Sequence, residues 1–178
     1  MKHRITIAAL LLALTGLVGL PAAANAQQVP DITDADFLSQ AALSNRFEIV
    51  TGALAQQRGR TRTVRALGKM FKVDHTAALA EGSAVAAKLG ITPPAGLNPV
   101  QQKIANALAK LRGRKFDRAW LKAQLVAHLQ AVALHLRGAL NGDTADVRTL
   151  AITALPVVSQ HLGELRVVVG DDHGGSHH

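Results

Sequence analysis

Apolar positions recur at alternating steps of three and four through four long stretches of this chain, the spacing of a helix that buries one face. The first predicted helix opens near Thr33 or Asp34, where Thr33 and Asp36 form a capping-box-like start, and stops at Gly59; its inward line is Phe37, Ala41, Ser44, Glu48, Thr51 and Ala55. The second runs from about Thr61 to Leu89, with Val64, Leu67, Phe71, His75, Ala78, Gly82 and Val85 on one side, until Gly90 and Pro93-Pro94 stop it. The third, about Lys115 to Leu140, ends at Asn141-Gly142 and turns Leu121, Gln124, Leu125, His128, Val132, His135 and Leu136 inward. The fourth, about Thr144 to Val169, carries Val147, Leu150, Ala154, Val158, His161, Leu165 and Val168 at the same spacing. Pro156 removes a backbone donor inside it, which predicts a kink one turn before His161.

Between the second and third helices lies a Pro-rich connection followed by a short helix from Val100 to about Leu111, with Asn98 and Pro99 as its N-cap and first residue. An extended segment plus about 18 Å of helix is long enough to travel the length of a bundle. The expected fold is therefore all-α: a ferritin-like antiparallel four-helix bundle with a long crossover containing a short helix.

Composition sets the surroundings. Met1 to Arg4 is basic, Ile5 to Leu20 apolar, and Ala24-Asn25-Ala26 a small-residue cleavage signature, so residues 1–26 are read as a signal peptide cut after Ala26. No later stretch is apolar enough to span a bilayer. The remainder divides into a short N-terminal segment, 27–33, one domain over 34–169 and a His-containing tail, 170–178, expected to be flexible. The mature protein is expected to be periplasmic or secreted. With no cysteine anywhere, disulfides, thiolate metal sites and an N-terminal cysteine-linked lipid are excluded. Four Phe, one Trp and no Tyr predict a core of Ala, Leu, Val and Ile.

The formal net charge is +8. Basic residues gather as Arg58, Arg60, Arg62, Arg65, Lys69 and Lys72, then again as Lys110, Arg112, Arg114, Lys115, Arg118 and Lys122. A solvated face serving solubility and a patch for anionic envelope polymers or lipid headgroups both fit this pattern; nucleic acid is not expected outside the cytoplasm.

Glu48, His75, His128 and His161 fall near the middles of the four long helices, on their inward lines. Buried imidazoles and carboxylates must bond one another, water or a metal, so these four are the candidate metal ligands, with Asp74 and Glu164 as supporting acceptors. Each also has a plainer reading as a hydrogen-bonded core residue. His135 is two turns, about 10 Å, from His128 and cannot share its ion. Di-iron bundles need a Glu-x-x-His pair on two helices, and the long helices have none; His161-x-x-Glu164 reverses the order. A histidine-rich site with one carboxylate suits a single Zn, Cu, Ni or Fe ion. Asp117, in the first turn of the third long helix, is read as satisfying free backbone donors rather than as catalytic.

Phe37-Leu38 with Ala41-Ala42 and Glu48, Asp74-His75-Thr76, Leu89-Gly90, Phe116-Asp117 with His128, and Leu155-Pro156 followed by His161-Leu162 resemble domain-of-unknown-function family 4142, over about Asp34 to Val168. Its members are secreted bacterial proteins commonly labelled as outer-membrane proteins. The resemblance implies a ferritin-like four-helix domain outside the cytoplasm and brings no established activity. Alternating barrel strands, which an outer-membrane barrel would need, are absent from the pattern. Nucleophile elbows, phosphate loops and His-Glu-x-x-His runs are also absent.

Three functions remain open. One is a metal-handling or envelope-stress protein with a His/Glu centre. Another is a non-catalytic envelope interaction module whose core histidines are purely structural. A third, a metal-dependent oxidase or hydrolase, would need an open coordination position and a substrate channel.

Overall fold

The computed structural model describes residues 31–174; the expected signal peptide, residues 27–30 of the N-terminal segment and residues 175–178 lie outside it. Among the described residues, five helices follow one another: α1 (Asp34–Arg58), α2 (Arg62–Lys88), α3 (Pro99–Ala109), α4 (Gly113–Asn141) and α5 (Ala145–Gly174). Their starts follow the predicted chemistry. The Thr33 side chain accepts from Asp36 N, Thr61 from Val64 N, and Asn98 forms a reciprocal capping box with Gln101. α5 runs through Pro156 and continues past Val169 to Gly174, so the first part of the expected tail is helical.

α1 packs on α2 and α4, and α5 packs on the same two helices. Polar bonds at the two ends fix the directions. Asp117, early in α4, accepts from the backbone N–H groups of Arg60 and Thr61 in the α1–α2 turn (2.8 and 2.9 Å). Asp34, at the start of α1, accepts from Asp143 N at 2.9 Å and from Thr144 N in the α4–α5 turn. Each helix is thus antiparallel to both neighbours, and the 89–112 connection carries the chain from one end of the bundle to the other. On the way α3 lies against α1 and α4, with Gln101 Nε2 donating to Leu43 O. This is the winding the connection length predicted.

Asp117 does satisfy backbone donors, but those of the α1–α2 turn rather than of its own helix. The same arrangement recurs at the opposite end. Asp34-x-x-Phe37-Leu38 corresponds to Asp117-x-x-Trp120-Leu121, and Gly59-x-Thr61-x-x-Val64-Arg65 to Gly142-x-Thr144-x-x-Val147-Arg148, at one constant offset along the chain. Arg65 Nη1 donates to the Gly59 and Arg60 carbonyls, as Arg148 Nη1 does to those of Gly142 and Asp143. α1–α2 and α4–α5 are therefore two copies of one helical hairpin, related by an approximate twofold axis.

Ala, Leu, Val and Ile make up most of the buried apolar side chains, as the composition predicts. All five aromatic side chains, Phe37, Phe47, Phe71, Phe116 and Trp120, are buried, because a single large ring fills space that several small side chains cannot. Small residues act instead where helices touch. A Cβ on Gly68 would lie 2.5 Å from Ala55 Cβ and 2.8 Å from Gly52 O, so α1 and α2 meet backbone to backbone. One apolar cluster, around Phe71, Phe116 and Trp120, fills the end holding the α1–α2 turn, and a second, around Phe37, Leu38 and Val147, fills the other.

Gly68→Ala has no flexible neighbour to displace, and should cost about 1–3 kcal/mol. Gly163→Ala, with nothing within 4 Å of the added Cβ, should stabilise by up to about 1 kcal/mol through helix propensity. Urea denaturation of the two variants against the parent checks both; equal midpoints would show that the α1–α2 contact is looser than described.

Candidate metal centre

The polar side chains of the bundle lie between the two apolar clusters. His75 on α2, His128 on α4 and His161 on α5 are each buried to 3% exposure or less. Their rings form a nearly equilateral triangle, with centroids 5.4–5.5 Å apart. One ring nitrogen from each lies within 4.8 Å of the other two. Phe71, one helical turn before His75, sits 4.6 Å from the His128 ring and 4.7 Å from that of His161, closing the triangle toward Trp120.

Every imidazole is held by one nitrogen. His75 Nδ1 donates to Asn45 Oδ1 at 2.8 Å, His128 Nδ1 to the Gln124 carbonyl at 3.0 Å, and His161 Nε2 to Asp74 Oδ2 at 3.0 Å. Proton placement follows from these acceptors: the bonded nitrogen carries the hydrogen and the other bears a lone pair. The opposite nitrogens, His75 Nε2, His128 Nε2 and His161 Nδ1, are buried without any hydrogen-bond partner. Three desolvated lone pairs in one place are a cost that a cation would remove. Metal-binding histidines are oriented in this way, through an acceptor on the far nitrogen.

The network extends outward through α1. Gln124 Nε2 donates to Thr51 Oγ1, Thr51 Oγ1 donates to the Phe47 carbonyl, and Trp120 Nε1 donates to the Thr51 carbonyl. Glu48 is also fully interior, yet its Oε1 is 4.0 Å from His128 Nδ1, the ring's outward nitrogen. Neither Glu48 oxygen has a hydrogen-bond partner. The structure thus brings three of the four expected ligands together and places Glu48 beside them, outside the converging group. Asp74, one of the two expected supporting acceptors, supports His161. Glu164 accepts from Gln160 on the surface of α5. His135 is separate, donating to the Ala131 carbonyl and edge-on to Phe37.

Electrostatics keep the cluster neutral. Burial and the neighbouring imidazoles lower the His75 pKa to about 2. Burial lowers His128 to about 4, against the Gln124 carbonyl bond that favours its protonated form. His161 is lowered by burial and partly restored by Asp74. Burial drives the Glu48 carboxyl well above the usual carboxylate range; the neighbouring Gln124 amide pulls the other way by less, its Nε2 being committed to Thr51 Oγ1 rather than to Glu48.

Asn45 was missed by sequence reading. It lies on an Ala41, Asn45, Glu48 line as regular as the Ser44 line chosen for α1, and nothing in one helix distinguishes them. The Gln124 carbonyl carries no sequence signal of its own.

Residues 19–168 match the family model described as Domain of unknown function (DUF4142). Among solved structures, the chain is similar to the crystal structure of a DUF305 fragment from Deinococcus radiodurans, with a TM-score of 0.68 and 18% identity, covering 80% of this chain and 99% of that one. At that identity the likeness is one of fold. No curated protein matches the chain. Among the described residues, no helix is long and apolar enough to cross a membrane.

The pKa shifts predict the acid response of the metal-free protein. Below its ordinary pKa of 6.5, each depressed histidine takes up a proton in the unfolded chain but not in the folded one. Its contribution to stability is therefore complete above 6.5 and is lost at about 1.4 kcal/mol per pH unit as pH falls, down to about 4 for His128 and about 2 for His75. Glu48 acts oppositely, since its stabilising effect is present below 4.5 and is lost as pH rises. Glu48→Gln should thus raise stability at neutral pH and steepen the acid loss. Urea titrations between pH 5 and 7 that gave the two proteins the same slope would contradict this assignment.

Proposed function

Because this chain belongs to the domain-of-unknown-function family DUF4142, its role has to come from the site itself, and we propose that it binds one transition-metal ion in the bundle core. The reading rests on the three partnerless nitrogens, His75 Nε2, His128 Nε2 and His161 Nδ1, each on a ring anchored from behind. Metal–nitrogen bonds of about 2.0–2.1 Å place tetrahedral ligands about 3.3 Å apart. The triangle therefore tightens around the ion by small ring rotations.

Neutral imidazoles without thiolate suit Zn, Cu, Ni or Fe. A buried Glu48 carboxylate close behind His128 would offset part of the ion's charge. The three donor atoms are themselves inaccessible to solvent, which fits holding an ion better than turning over a substrate. We assign the protein a metal-handling role in storage, sensing or stress protection, outside the cytoplasm after removal of residues 1–26.

Metal analysis by mass spectrometry tests this directly, on exported protein lacking residues 175–178 and carrying His173→Ala so that tail histidines do not contribute. Close to one ion per chain is expected, and none in His128→Ala or His161→Ala. Asp74→Ala spares the ligands and should weaken affinity by about 10–100-fold. Absence of metal from the parent, with no rise in melting temperature on adding Zn, Cu or Fe, would leave the histidines as a structural polar layer.

A further inference from the structure

Folding brings the two basic stretches of the sequence to one end of the bundle. Arg60, Arg62 and Arg65 from the α1–α2 turn and the start of α2 stand beside Arg114, Lys115 and Arg118 at the start of α4, all exposed. Between them lies a cleft of about 370 Å³ lined by Arg60, Arg114 and Arg118 together with Thr61 and Thr63. Among the described residues its one lining carboxylate is Asp117, whose two oxygens are already committed to the Arg60 and Thr61 N–H groups.

The duplicated hairpin supplies an internal control for this charge. At the opposite end the same turn and the same folded-back arginine are built with Asp143 in place of Arg60, Asp146 in place of Thr63 and Asp31 in place of Arg114. The fold therefore does not require cations at these positions. Charge serving only solubility would be indifferent to which end it occupied, whereas at two of these matched positions one end carries arginine and the other aspartate.

We propose that this basic end is a docking surface for anionic phospholipid, with a headgroup phosphate seated in the Arg60, Arg114 and Arg118 cleft. Three chain segments meeting at one end present a two-dimensional array, which fits a plane of phosphates better than a single thread of charge. Guanidinium groups match phosphate oxygens in geometry as well as charge. All five aromatic rings are buried, so the contact is made at headgroup level without insertion.

Vesicle flotation of the full mature chain, without added metal, tests the proposal. Binding is expected to vesicles containing about one third phosphatidylglycerol and not to phosphatidylcholine alone, with at least a tenfold loss between about 50 mM and about 0.5 M salt. Arg60→Asp with Arg114→Asp installs residues that the other end of the fold already carries, and should weaken binding by at least tenfold. Lys88→Asp with Lys103→Asp, equal in charge but away from the cleft, should keep most of it. If the aspartate pair lowers the melting temperature, Arg60→Gln with Arg114→Gln replaces it. Equal loss in both pairs would overturn the site. Binding of soluble polyphosphate without vesicle binding would overturn the lipid source.

Discussion

Three imidazoles share the buried middle of the bundle, and the surrounding chain is arranged around that constraint. An imidazole can be buried neutral if one nitrogen finds an acceptor, and each of the three does so from a different kind of group: an amide on α1, a carbonyl one turn back on α4 and a half-exposed carboxylate on α2. Those anchors leave the remaining lone pairs facing one another. Phe71 covers two of the rings, and the apolar clusters above and below keep the layer dry. In such surroundings the neutral imidazole and the protonated carboxyl are the favoured forms. A bound cation would favour the ionised carboxyl instead.

Much of the fold was legible because helix punctuation is local. Thr33, Thr61, Asn98, Gly59 and Gly142 mark ends with their own side chains or their lack of one, and the helices begin and stop within a few residues of them. The crossover was legible from length alone. For the site, periodicity put His75, His128 and His161 on inward faces, and the three do meet. Glu48 lies on an equally regular inward line, but facing inward fixes only a direction. Whether two inward side chains touch depends on the rotation of each helix about its axis, which the α1–α2 glycine contact sets and no single helix reveals. Asn45 was lost for the same reason. The aliphatic core was legible from composition; that all five rings join it was not, because composition counts residues whereas packing weighs volume.

The internal repeat changes how the site is understood. Under the hairpin correspondence His75 pairs with Val158, His128 with Asn45 and His161 with Ala78. The positions that carry imidazoles on one side of the twofold axis carry an aliphatic, an amide and a methyl on the other. One of these substitutes, Asn45, has become the acceptor for His75. A symmetric scaffold has thus acquired one polar site rather than two, and part of the mirrored position now supports it.

The donors are divided between the two hairpins. α1–α2 is closed by a short turn and a backbone-level contact, and α4–α5 by the equivalent turn, so each hairpin has its own local reasons to form. His75 belongs to the first, while His128 and His161 belong to the second. The triangle exists only where the two hairpins are docked, because neither hairpin holds all three rings. A molecule whose hairpins are intact but parted would keep nearly all its helix and lose its centre, which makes the three rings a gauge of docking rather than of helix formation.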